Sequence, residues 1–168
     1  PVCALIAQHM PPRFTEAFAD RLNQVVPMRV SEAKSGDAIA AGHAFVAPGG
    51  AHLEVVQGSA GLSLVVTPGS PSDKHAPSID RMFSSVARLK SAQAMALVLT
   101  GMGSDGARGL LRLRQAGWHT IAQDQTSSAV FGMPRAAQEL GAAVQILPLA
   151  AIGSALARAL PARRPLRG

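Results

Sequence analysis

Two hydrophobic rhythms alternate along this chain. Short unbroken apolar runs are the mark of buried strands, and stripes spaced three and four residues apart are the mark of helices with one face inward. Residues 2–7 form the first run, and Gln8-His9-Met10-Pro11-Pro12 is the turn at its end. A helix is predicted over about 13–24, with Phe14, Phe18 and Leu22 on one face, and Pro27 stops it. Residues 28–31 and 43–47 read as strands, separated by a Ser35-Gly36-Asp37 turn and closed by Pro48-Gly49-Gly50. Residues 52–56 and 62–67 flank a Gly-containing loop at 57–61 and make a β-hairpin.

After a proline-rich loop at 68–77, Ser78 is a good N-cap for a helix reaching Lys90, with Ile79, Met82, Phe83 and Val86 inward. A strand over 94–100 runs into Gly101-Met102-Gly103-Ser104-Asp105-Gly106, then a helix to Ala116 closed by Gly117 at C′. Residues 118–122 and 143–147 read as further strands, 123–134 as a loop, 134–140 as a short helix and 149–160 as a closing helix. This alternation predicts an α/β fold: a doubly wound, mostly parallel sheet with helices on both faces and an antiparallel β-hairpin. The domain spans 1–160, and 161–168 is a basic tail.

Composition narrows the function. At 168 residues, 48% hydrophobic and 15% charged, the chain can bury a core of its own. No apolar run is long enough to span a bilayer, and no signal peptide is expected. The lone Cys3 excludes an internal disulfide framework and makes a reducing cytoplasm the default location. A net charge of +6 suggests nucleic acid, but half of it comes from Arg163, Arg164 and Arg167 in the tail. Without a single Tyr there is also little to stack bases on. Neither a nucleic-acid partner nor membrane insertion is expected. His43, His52, His75 and His119 show no metal-ligand spacing, and there is no Cys pair, so no metal and no cofactor are expected.

The strand, Gly-rich turn and helix over 97–109 would deliver Asp105 to the carboxyl edge of the sheet. Two roles compete there. Asp105 caps the helix that follows it, or its carboxylate orients a histidine. A phosphate cradle is a weaker third choice, because neither G-x-G-x-x-G nor a Walker ending is present. His9 also leaves its strand at the carboxyl end, so the two residues could meet in one crevice. An imidazole held by a carboxylate is the general base that a serine nucleophile needs. The alternative is a solvent-exposed loop histidine, and the residues alone leave both readings open.

Several blocks resemble the bacterial chemotaxis receptor methylesterases (CheB type). They are Gln8-His9-Met10-Pro11-Pro12 with Phe14-Thr15 and Arg21-Leu22-Asn23, Gly42-His43-Ala44-Phe45-Val46-Ala47-Pro48-Gly49, and His75-Ala76-Pro77-Ser78-Ile79-Asp80. Residues 99–106, Ala122-Gln123-Asp124 and Val130-Phe131-Gly132-Met133-Pro134 complete the series, in family order over nearly the whole chain. The resemblance implies hydrolysis of glutamate methyl esters on the cytoplasmic helices of methylated chemoreceptors, and deamidation of certain receptor glutamines. It implies that His9 is the general base and acid, that Asp105 orients it, and that the backbone around Met102 lies at the oxyanion. From their own positions, Met10, Met102 and Met133 each flank a glycine or proline turn near a strand end, and either offer the ester methyl a soft wall or serve ordinary packing. Arg13 would steer an acidic receptor helix or be a plain surface residue. Most members also carry an N-terminal receiver domain.

The sequence departs from the family pattern in one place. The family's serine lies in a Gly/Ser-rich turn after a strand that precedes the histidine segment, and only eight residues precede His9 here. Ser59 sits in the hairpin turn, Ser104 is a spacer beside Asp105, and Ser127 and Ser128 are loop residues. Cys3 lies about 20 Å from His9 along an extended strand, too far to replace the serine. The expectation is therefore a nucleophile upstream of this chain, which alone would be inactive. The rival is a catalytically inactive methylesterase-like binding module.

Overall fold

The computed structural model describes residues 2–89 and 94–159, so the expected basic tail at 161–168 lies outside the described residues, as does Lys90. The chain runs β1 (Ala4–Ile6), α1 (Phe14–Val25), β2 (Arg29–Glu32), β3 (His43–Val46), β4 (Ala51–Gly58) and β5 (Gly61–Pro68). It continues through α2 (Ile79–Ala87), β6 (Met95–Val98), α3 (Ala107–Gln115), β7 (His119–Gln123), α4 (Met133–Glu139), β8 (Gln145–Leu147) and α5 (Leu149–Ala159). The fold is α/β with mostly parallel pairing. One parallel group has the order β1-β3-β2, the other β6-β7-β8, and β4 and β5 form the antiparallel pair.

The period-2 alternation of each strand accounts for the double winding. In the first group, Ala4, Ile6, Ala44, Val46 and Val30 face Phe18, Ala19 and Leu22 of α1. Their neighbours Leu5 and Phe45 face the opposite way, into the main core. In the second group, Met95, Leu97 and Ile121 meet Ile152 and Ala155 of α5. Ala96, Val98 and Ala122 point instead at α2, α3 and α4, through Ile79, Phe83, Leu110 and Ala137. One central core thus joins both parallel groups and the hairpin.

Some elements differ from the periodic reading, each for a physical reason. Phe14 is 61% exposed, because the buried face of α1 is built on Thr15 and Ala19. The Thr15 hydroxyl accepts the Gly49 N–H at 3.0 Å, which fixes that face toward the β3 end. The hairpin pairs through to Gly58 opposite Gly61, so the expected five-residue loop shrinks to Ser59-Ala60. α2 ends at Ala87 rather than reaching Lys90. Trp118 does not open a strand; its N–H closes α3 on the Leu113 carbonyl at 3.0 Å, after Gly117 turns at φ 85°.

Candidate active site

β1 and β6 carry the two residues singled out above toward the same rim. His9 lies three residues past β1 and Asp105 seven past β6. The histidine turn is clamped from the side by Gly49, where any Cβ would come within 2.6 Å of the Met10 carbonyl oxygen and of Pro11. Only glycine permits that approach. Across the rim, Gly106 adopts φ 91°, and a Cβ there would lie 2.7 Å from Cγ2 of Ile79. It therefore brings the start of α3, and Asp105 with it, against the N-terminus of α2.

These two approaches put His9 and Asp105, 96 positions apart in sequence, in contact at 2.8 Å between Nε2 and Oδ2. The Asp105 side chain is 5% exposed, and that of His9 is 27% exposed. Burial by itself pushes the Asp105 carboxyl up. The hydrogen bonds from His9, the Asp80 and Ile79 N–H groups and the Ser78 hydroxyl outweigh it and hold the pKa at about 2. Asp105 is therefore an ionised, acceptor-only group, so His9 donates through Nε2–H and turns Nδ1 to the opposite side of its ring. The His75 ring stacks on that of His9, with centroids 4.5 Å apart and planes inclined by 14°.

The carboxylate is not a cap for the helix that follows it. α3 has Gly106 at its N-cap and no side-chain capping bond there. Asp105 instead accepts the Ile79 N–H at 2.8 Å and the Asp80 N–H at 3.0 Å, the first two helical amides of α2. Ser78 is the N-cap of α2, as its residue type suggested. Its Oγ accepts the Arg81 N–H at 3.4 Å and donates to Asp105 Oδ1 at 3.1 Å. A fourth amide, that of Ser78 itself, donates to Nδ1 of His52 at 3.3 Å. The orphan donors of the α2 terminus are thus divided between Asp105, Ser78 and a buried imidazole.

The turn at Gly101-Met102-Gly103 leads directly into Ser104 and Asp105. It is pinned from below by the 130–133 segment: Gly101 N–H bonds the Val130 carbonyl at 3.0 Å, and Gly132 and Met133 N–H bond the Gly101 carbonyl at 3.1 and 2.8 Å. Met102 projects its side chain into solvent, 82% exposed, whereas Met133 is buried under Gly101. Met133 is thus a packing residue, and Met10 is half-buried in its turn. A cleft of about 560 Å³ opens next to the dyad, with His52, Asp73, His75, Ser104 and Asp105 among its walls.

Ser104 stands exposed on the cleft wall beside Asp105, Ser59 is exposed in the hairpin turn, and further candidates lie elsewhere or are committed. The Ser127 hydroxyl bonds Asp124 at 2.6 Å and that of Ser128 the Asp124 carbonyl at 2.6 Å. Cys3 is half-buried against the core, where burial pushes its thiol up against a weaker opposing hydrogen bond from the Ala40 backbone. Among the described residues no group of three or more His, Cys, Asp or Glu could hold a metal ion. No described helix is long and apolar enough to cross a membrane. Reading the sequence missed the roles of His75, Asp80 and the His52–Asp73 pair. Ser78 was recognisable as a cap, but nothing local marked it as a partner of Asp105.

Comparison with known proteins agrees with this architecture. The family model described as CheB methylesterase matches residues 1–156. Protein-glutamate methylesterase/protein-glutamine glutaminase 1 of Myxococcus xanthus (strain DK1622) is 48% identical over 162 residues, covering 96% of this chain and 47% of that protein. Protein-glutamate methylesterase/protein-glutamine glutaminase 2 of Pseudomonas aeruginosa (strain PAO1) is 50% identical over 152 residues, 90% of this chain and 44% of that one. The crystal structure of the Thermotoga maritima CheB methylesterase catalytic domain superposes with a TM-score of 0.86 at 31% identity, covering 92% of this chain and 82% of that one. The chain spans a little under half the length of these curated relatives.

Proposed function

Since this chain belongs to the CheB methylesterase family, we propose that it is the catalytic part of a protein-glutamate methylesterase that also deamidates glutamine, working in the cytoplasm on methylated chemoreceptor helices. The observation that carries this reading is the 2.8 Å contact between His9 Nε2 and the ionised Asp105. That contact fixes the tautomer and leaves Nδ1 as the base. A serine hydroxyl attacks the ester carbonyl while Nδ1 of His9 takes its proton, and the resulting imidazolium is stabilised by Asp105. The resemblance assigns the developing oxyanion to the backbone N–H groups around Met102. Collapse of the tetrahedral intermediate expels methoxide, which leaves as methanol with the proton from His9. Water, activated by the same nitrogen, then hydrolyses the acyl-enzyme to glutamate. With glutamine as substrate, ammonia leaves in place of methanol.

The serine is supplied by a segment outside these 168 residues. Several serines within the chain are spoken for: Ser78 donates to Asp105, Ser84 to the Asp80 carbonyl, Ser85 to the Met82 carbonyl, and Ser127 and Ser128 to Asp124. Among the described residues β1 pairs with β3 and β6 with β7, and neither has a strand on its other side, which leaves an edge for a further parallel strand. A receiver domain in the remaining length would regulate the site. The test compares methanol release from methylated receptor by residues 1–168 and by the full-length protein. Turnover only in the full-length protein, abolished by His9→Ala, is expected. Turnover by the short chain would refute the external serine. No turnover in either would leave a methylesterase-like binding module.

A further inference from the structure

His52 is an acceptor at the α2 terminus that the reaction does not use. It lies on the face of β4 that carries Glu54 and Val56, opposite the core residues Leu53 and Val55, and is nonetheless fully buried. A fully buried imidazole is costly unless both nitrogens are satisfied, and here both are. Nε2 lies 2.8 Å from Oδ2 of Asp73, and Nδ1 takes the Ser78 N–H at 3.3 Å. The bond from His52 and a second from the Ser70 N–H hold the Asp73 carboxyl below its ordinary range, so it accepts only. An amide N–H pointing at Nδ1 requires a lone pair there. His52 is therefore neutral, with its proton on Nε2, and this tautomer is selected by Asp73.

We propose that His52 is a positioning residue for the His9–Asp105 dyad, acting through Ser78. The path is short and continuous. Asp73 fixes the His52 tautomer, Nδ1 of His52 holds the Ser78 N–H, Ser78 Oγ holds Asp105 Oδ1, and Asp105 Oδ2 holds His9. Both ring nitrogens of His52 are occupied, so it is not a second base. It sets the orientation of the N-cap residue, which in turn sets the carboxylate. The loop that contributes Asp73 also contributes His75, whose ring lies on His9. The same anchor thus braces the dyad from two sides. The kinetic consequence rests on the methylesterase reading; the geometric one does not.

The two amide isosteres of histidine separate positioning from bulk stability. In His52→Asn the side-chain oxygen falls near Nδ1 and can still accept from Ser78. In His52→Gln the amide falls near Nε2, keeping Asp73 and losing Ser78. Both are made in the full-length protein, labelled with ¹⁵N-histidine. Expected for His52→Gln is a kcat lower by roughly 10- to 100-fold at unchanged KM, with the neutral His9 signal split between two tautomers. His52→Asn should restore kcat to within about three-fold of wild type and a single Nε2–H tautomer of His9, even with a similarly lowered thermal midpoint. Equal losses in both variants, or wild-type behaviour in His52→Gln, would overturn the proposal. Should His52→Gln not fold, the wild-type ring spectrum at pH 7 decides: a proton on Nδ1 of His52, or on both nitrogens, overturns it, and a proton on Nε2 alone supports it. If the wild-type protein lacks esterase activity, the functional reading fails, and the two tautomer measurements still judge the positioning.

Discussion

Asp80 and Asp105 exchange helix caps. Asp105, at the threshold of α3, accepts the Ile79 and Asp80 N–H groups that begin α2, and Asp80, in the first turn of α2, accepts the Gly109 N–H of α3 at 2.6 Å. Each carboxylate sits where the partial positive charge of the other helix is strongest. Gly109 makes the exchange possible, since a Cβ there would lie 2.7 Å from Cβ of Phe83 and 2.9 Å from the Asp80 carbonyl. The Asp105 carboxylate is therefore fixed by the docking of two helices as well as by its contact with His9.

Asp80→Ala removes the acceptor of the Gly109 amide and should destabilise the protein by about 1 kcal/mol, the usual worth of a helix cap. Asp80→Asn keeps an acceptor and should lose only a fraction of that. Urea midpoints of the two variants at neutral pH check this; an unchanged midpoint in Asp80→Ala would mean that the bond is idle.

Asp105→Asn can still accept one amide but no longer selects the Nε2–H tautomer of His9. Ester turnover by the full-length protein should fall on the order of 10⁴-fold, with little change in KM. A loss below ten-fold would remove Asp105 from the catalytic machinery.

Acid stability should report the same carboxylate. The folded pKa of about 2 lies below the unfolded value of 3.8. The depressed group therefore contributes fully above about pH 4, and its contribution is lost as pH falls toward 2. The amount is on the order of 2 kcal/mol. Unfolding free energy measured across this window should fall by about that much more in wild type than in Asp105→Asn. Parallel curves for the two proteins would contradict it.

Gly132→Ala tests the support of the Met102 turn. Its Cβ would fall 2.7 Å from the Gly101 carbonyl oxygen, 2.9 Å from the Gly103 nitrogen and 3.1 Å from Cα of Met102. Backbone cannot yield as a flexible side chain would. A stability cost of about 1–3 kcal/mol is expected, with a fall in kcat because the proposed oxyanion donors move. Unaltered kcat would separate this turn from the oxyanion.

Met102→Ala removes a side chain that is 82% exposed and should leave the melting temperature within about a degree of wild type. A change confined to KM for the methyl ester would assign this side chain to substrate contact, and unchanged kinetics would leave only its backbone in play.

Hydrophobic spacing by itself determined the succession of strands and helices, the parallel α/β class and the departure of His9 and Asp105 from strand ends on one edge. These follow from period and burial, which are properties of neighbouring residues. It also marked Ser78 as a cap and Gly117 as a helix stop, because both depend on local backbone chemistry. Only the tertiary structure decided that Asp105 caps α2 instead of α3, that Phe14 faces solvent while Thr15 is buried, that His52 receives the Ser78 N–H and that the His75 ring lies on His9. Each of those outcomes depends on which donor or ring a distant element brings within reach. Asp105 and Ile79 are 26 positions apart, and no local pattern encodes the docking of α2 on α3 that joins them.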